Sequence, residues 1–264
     1  MTWELLRSRW TFPVLTTLQD GPSGSGRLLH RINEGAARNA DLLGARVLHS
    51  GVLLVGLRQM DEENLLLIRR PGTETGRGVD LWELTAAGRE LLRSLDDMAV
   101  WAAGHRGPLA TALRRRSHQQ GSLDPGELVL TAEQERQRAT GMALEVVRPR
   151  WAFAVLCQLG HGSQSPTCVT EAVNAGIDRN RDLTGRRSLS EKMFWDTLHR
   201  LVDAGLVIHR SRPGRIASTA RCTLTPAGHA LLGAVEPVGE WALGHEQQLL
   251  AIVRRRRGLS VGGS

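Results

Sequence analysis

Apolar residues return at helical spacing in several separate stretches of the chain. The clearest is 188–205, where Met193, Phe194, Leu198, Leu201 and Val202 share one side and Asp196, His199, Arg200 and Asp203 take the other. A leading serine supplies a cap, and Gly205 ends the run before a short β-like Leu206-Val207-Ile208. The basic, turn-rich RSRPGRIAS and the β-leaning TARCTLT follow, so the segment reads helix, strand, turn, strand. Residues 47–64 repeat the helical part with Gly51 and Gly56 inside it, which weakens the helix. Residues 65–69 and 79–84 then form a hairpin around PGTETG. Thr85 and Thr225 are placed to cap later helices, one running through Leu91, Leu95, Met98 and Trp101, the other through Leu231, Val235, Val238 and Trp241. Shorter helices are predicted over 11–18, 27–35, 151–159 and 167–175. The middle of the chain adds 108–116 and 128–148, separated by a polar break, and 245–257 continues as a helix into a basic end.

The pattern is duplicated. Arg9-Trp10-Thr11-Phe12 recurs as Arg150-Trp151-Ala152-Phe153, 141 positions later. Leu84-Thr85-Ala86-Ala87-Gly88 recurs as Leu224-Thr225-Pro226-Ala227-Gly228, and Trp101 with His105 as Trp241 with His245, both at 140. Three matches in one order and nearly one register mark a repeat. They divide the chain into a first domain over 1–105, a helical linker over 106–149, a second domain over 150–250 and a basic flexible tail over 251–264.

Composition narrows the class. A hydrophobic content of 41% with 23% charged residues describes a folded chain. No apolar run approaches the ~18–20 residues of a membrane span, so no membrane partner is expected. Glu4 interrupts the N-terminal apolar stretch and argues against secretion. The three cysteines, Cys157, Cys168 and Cys222, lack metal-site spacing and leave one unpaired, which points to a reducing cytoplasm and to no metal. Residues 1–102 carry 12 basic and 13 acidic side chains, whereas residues 150–264 carry 15 and 9. Attraction to a polyanion is therefore concentrated in the C-terminal half. HExxH, P-loop and GxSxG patterns are missing, tyrosine is absent, and no cofactor signature is present, so the sequence does not read as an enzyme.

A helix beside a basic hairpin suits a winged DNA reader, with the helix in the major groove and arginines of the wing on phosphates. The same residues resemble the HxlR-type winged helix-turn-helix family of bacterial transcriptional regulators. The second copy carries its marks as Arg150-Trp151, Leu189-Ser190-Glu191-Lys192, Leu201 to Val207, Leu224 to Gly228 and Trp241. The first keeps Arg9-Trp10, Leu84 to Gly88 and Trp101, with an eroded recognition helix. The resemblance implies an α+β, mostly α fold of two tandem winged helix-turn-helix domains with additional linker and terminal helices. It also implies sequence-specific binding of double-stranded DNA, centred on the second domain, by a homodimer or an intramolecular pseudo-dimer. The family's N-terminal sensing cysteine has no counterpart before Cys157.

For DNA contact the candidates are Ser190, Lys192, Trp195, His199 and Arg200 on the helix and Arg212 and Arg215 on the wing. Arg179, Arg181, Arg186 and Arg187 are candidate phosphate contacts. Solvated loop arginines and an inward-packed Trp195 are the plainer alternatives. Trp10, Trp101, Trp151 and Trp241 are either shared core residues or the lining of a cavity for an apolar or aromatic effector. The competing function is a protein-interaction or ligand-binding module whose winged domains no longer recognise an operator.

Overall fold

The computed structural model describes residues 5–43, 46–70, 80–118, 129–179, 188–210 and 220–256. Helices dominate, joined by two small antiparallel sheets. The first half runs α1 (Thr11–Leu18), β1 (Ser23–Gly24), α2 (Ser25–Arg38), α3 (Ala40–Leu43), α4 (Ser50–Glu63), β2 (Leu67–Arg70), β3 (Leu81–Leu84), α5 (Ala86–Ser94) and α6 (Asp96–Gly104). Two helices follow, α7 (Arg106–His118) and α8 (Ala132–Val147). The second half runs α9 (Ala152–Gly160), α10 (Pro166–Arg179), α11 (Glu191–Asp203), β4 (Val207–Arg210), β5 (Arg221–Leu224), α12 (Pro226–Ala234), α13 (Glu236–Gly244) and α14 (Glu246–Arg256).

The repeat read from the sequence is kept in bonding detail. In the first half β3 pairs with both β2 and β1, with Ser23 opposite Trp82. The second half pairs β4 with β5, and a single bridge between Gln164 and Cys222 stands where β1 would. Thr85 and Thr225 cap their helices by accepting from Gly88 and Gly228 N–H, each at 3.0 Å. Those glycines have no substitute, because a Cβ would lie 2.1 Å from the Leu66 carbonyl oxygen and 2.3 Å from that of Leu206. Ahead of α4, the Asn33 amide receives the Leu48 N–H at 2.7 Å and donates to the Leu48 carbonyl at 3.0 Å. Ahead of α11, Asn174 does the same to Leu189, at 2.8 and 3.1 Å. Each asparagine thereby satisfies both backbone groups of one residue and fixes the angle at which the next helix enters.

Each predicted late helix is broken in two, at Leu95 and Val235. The restarts suit their residues: Asp96 and Asp97 favour a helix N-terminus, and Pro237 sits in a first turn where its missing N–H costs nothing. The break turns α6 and α13 across to the opposite half. There the Trp101 indole N–H donates to the Ala227 carbonyl at 3.1 Å, and the Trp241 indole donates to the Ala87 carbonyl at 3.0 Å. The two halves thus exchange equivalent bonds, and their buried apolar residues form one continuous cluster.

The helices of 106–149 are part of that core. Leu109, Leu113, Met142, Ala143, Val146 and Val147 are buried, and Asp41 joins the layer to the first half through Arg138 at 2.7 Å and Arg114 at 3.4 Å. Residues 251–256, assigned to the basic tail, form the end of α14, within the helix read over 245–257. Arg255 donates to the Glu62 carbonyl at 2.7 Å, and Arg256 pairs with the buried Glu63 at 2.6 Å. Basic side chains at a helix C-terminus and a carboxylate needing a partner explain the docking. Among the described residues, no helix is long and apolar enough to cross a membrane.

Candidate functional site

Helix α11 forms because its apolar positions recur every three or four residues and because Ser190 caps it, accepting from the Met193 N–H at 3.3 Å. Phe194, Leu198 and Leu201 are buried beneath it. Lys192, Asp196, His199 and Asp203 follow at spacings of four, three and four, which sets them along one exposed face, with Arg200 beside them. Ser190, Lys192, His199 and Arg200 are therefore brought together on the open side of one helix. Trp195 is half-buried instead. Its ring lies 5.3 Å from His209, 5.6 Å from Phe194 and 6.0 Å from His199, and its indole N–H points to Glu191 at 3.4 Å. Arg179 is exposed at the end of α10. Arg181, Arg186, Arg187, Arg212 and Arg215 lie outside the described residues.

The exposed face of α11 opens onto a groove of about 870 Å³ at the meeting of both halves. Asp196, His199, Arg200 and Asp203 form one wall. Arg116 of α7, Arg148 and Arg150 at the α8–α9 joint, and Arg7, Arg9 and Arg46 of the first half form the others. Arg116 donates to the Arg200 carbonyl at 3.1 Å, which holds the C-terminal end of α11 against α7. Burial first, and then the neighbouring Arg200 charge, lower the pKa of Arg116, while Asp203 and Glu145 oppose the shift. Seven arginines and three acidic side chains line the groove, so an anion there meets a net positive wall. Arg150 also lies over the Trp151 ring at 5.0 Å, a cation–π contact that orients it.

Sequence reading missed most of this groove. Its arginines come from five separate segments, and besides Arg200 only the repeated pair Arg9 and Arg150 carried a signal, the basic residue kept before each tryptophan. The four tryptophans separate by role. Trp101, Trp151 and Trp241 are buried in the core, whereas Trp10 is half-buried and borders a cavity. His105 and His245 stack on Trp101 and Trp241 at 4.9 and 4.7 Å and end their helices.

Helix α4 occupies the corresponding place in the first half with a different surface. Gly51, Val52 and Val55 stand where α11 has Lys192, Met193 and Asp196. Val52 and Val55 are 54% and 66% exposed, and Val47 just ahead of the helix is 65% exposed. The first turns of α4 thus present methyl groups where α11 presents charge and hydrogen-bonding groups, and Arg58, Gln59 and Glu62 are exposed further along α4. Compared with models of known protein families, with curated proteins and with solved structures, the chain matches none.

Proposed function

We propose that the chain is a DNA-binding transcriptional regulator built from two tandem winged helix-turn-helix units, with reading centred on α11 in the second. The observation that carries this reading is the exposed face of α11 lying beside the arginine-lined groove. A helix of this width fits the major groove, and its N-terminal residues, Ser190 and Lys192, are the ones that reach base edges or phosphates in such a docking. Arg116, Arg148 and Arg150 then lie on the flank as phosphate contacts. Asp196 and Asp203 repel phosphate, and they confine the backbone to the arginine side of the groove.

The test is binding of the full chain to duplex DNA from its own upstream region across a salt series, with unrelated duplex as competitor. Lys192→Ala is expected to weaken the preferred duplex by roughly 1–3 kcal/mol and to relax selectivity if it reaches a base. Arg150→Ala is expected to weaken all duplexes alike and to reduce the salt slope by about one. Binding that is unaffected by both substitutions refutes the assignment of this surface.

A second reading applies to the first half alone. The exposed valines of α4 favour contact with protein over contact with phosphate, so this half serves as an interaction surface. Val55→Asp separates the two readings: it leaves DNA affinity unchanged if α4 faces protein, and alters it if α4 approaches the duplex.

A further inference from the structure

A second cavity, of about 190 Å³, lies between α1, α2 and α8. We infer that it binds a small aromatic carboxylate of one or two rings. A cavity of ~150 Å³ admits benzene, so the space suits a ring system of one or two rings. Trp10, Phe12, Pro13 and Ile32 supply flat and apolar surface on the side of the first half. On the opposite wall Gly141 of α8 leaves a gap, because a Cβ built there meets nothing within 4 Å.

The polar edge carries net positive charge. Six arginines and two glutamates border the cavity. Arg31, Arg138 and Arg148 are already paired with Asp20, Asp41 and Glu145, which still leaves the cations in excess. A carboxylate at this edge meets the guanidinium of Arg148, which borders the cavity beside its ion pair with Glu145. An apolar body with an anionic head is the ligand class that answers both walls.

Arg148 and Glu145 border this cavity and the arginine groove alike. A carboxylate held at Arg148 adds negative charge to the wall of the groove and lowers its affinity for phosphate. This regulatory consequence rests on the DNA-binding reading above; occupancy of the cavity does not. By linkage, DNA and ligand weaken each other by the same factor, about fivefold at the low end of ordinary coupling.

The experiment is calorimetric titration of the full chain with 1-naphthoate, 3-hydroxybenzoate and the neutral 1-naphthalenemethanol. Naphthoate and hydroxybenzoate are expected to bind, with the alcohol at least tenfold weaker. Gly141→Leu fills the gap and is expected to lower naphthoate affinity at least tenfold without lowering the thermal midpoint. Gly141→Ala adds one methyl and keeps most of the affinity, so it controls for folding. Arg148→Gln is expected to weaken naphthoate about tenfold and the alcohol little. Equal binding of acid and alcohol, or naphthoate binding untouched by Gly141→Leu, overturns the inference. A chain that binds DNA and neither acid also overturns it, whereas one that binds naphthoate and no DNA refutes the DNA reading and keeps the cavity.

Discussion

Replacing Trp101 with phenylalanine in the first half should weaken the second. The indole N–H reaches a carbonyl 126 residues away in the chain, at Ala227 in the first turn of α12. Phenylalanine keeps an aromatic body but has no donor. The Ala227 carbonyl still accepts the helical N–H four residues on, so the loss is one net hydrogen bond, about 1 kcal/mol, and not a fully orphaned group. The smaller ring also leaves a void in a buried site, worth about 1 kcal/mol more. Each substitution, Trp101→Phe or Trp241→Phe, is therefore expected to cost about 2 kcal/mol, and the double variant roughly 4 if the sites add. For a chain of this size, 2 kcal/mol moves the thermal midpoint by roughly 4–8 °C. Denaturant unfolding with hydrogen exchange is the assay. Wild type should unfold in one transition, and Trp101→Phe should lower amide protection in α12 as much as in α6. A change under ~0.5 kcal/mol, the range of an ordinary surface substitution, would refute the interlock; so would a loss of protection confined to the first half.

Other substitutions test single features. Gly228→Ala places a methyl against the Leu206 carbonyl and is expected to cost 4 kcal/mol or more, whereas Gly233→Ala, with nothing within 4 Å, should be neutral or stabilise by up to ~1 kcal/mol in urea unfolding. Arg256→Ala strips the partner from a Glu63 side chain only 5% exposed and is expected to cost on the order of 2 kcal/mol, less than a fully buried pair because Arg256 is a third exposed. Burial pushes the Cys157 and Cys222 thiols up to about 11, while Cys168 is exposed. Alkylation at about pH 8 should therefore modify Cys168 alone until the chain is unfolded. Because unfolding returns both buried thiols to ~8.5, the unfolded chain holds fewer protons above that pH, and stability should fall as pH rises toward 11.

Much of the architecture is written locally. Ser190, Thr85 and Thr225 are legible as caps because a hydroxyl before an apolar-periodic run has one economical use, and all three accept the expected backbone N–H. The paired tryptophans are legible as packing residues, but their indole partners are not, since nothing local distinguishes Ala87 and Ala227 as acceptors. Asn33 and Asn174 carry no local motif, although the repeat gives them one shared spacing to Leu48 and Leu189. The groove was the least legible part. A run such as Arg114–Arg116 reads as a solvated helix end, and only the packing of α7 decides that Arg114 turns to Asp41 and Arg116 to Arg200. The helical breaks at Leu95 and Val235 were hidden because the apolar period carries on through them.

The exchange of indoles also bears on how such a protein responds to its own abundance. Paired subunits on separate chains come apart on dilution, so the amount of active pair rises with the square of the supply when they are scarce. Here the two partners are on one polypeptide and meet at an effective concentration fixed by the intervening helices, whatever the number of copies in the cell. Output set by this pairing scales in simple proportion to copy number. It also frees each partner to change its outward surface without having to remain its own mirror image, which is the condition under which α4 and α11 could come to differ as they do.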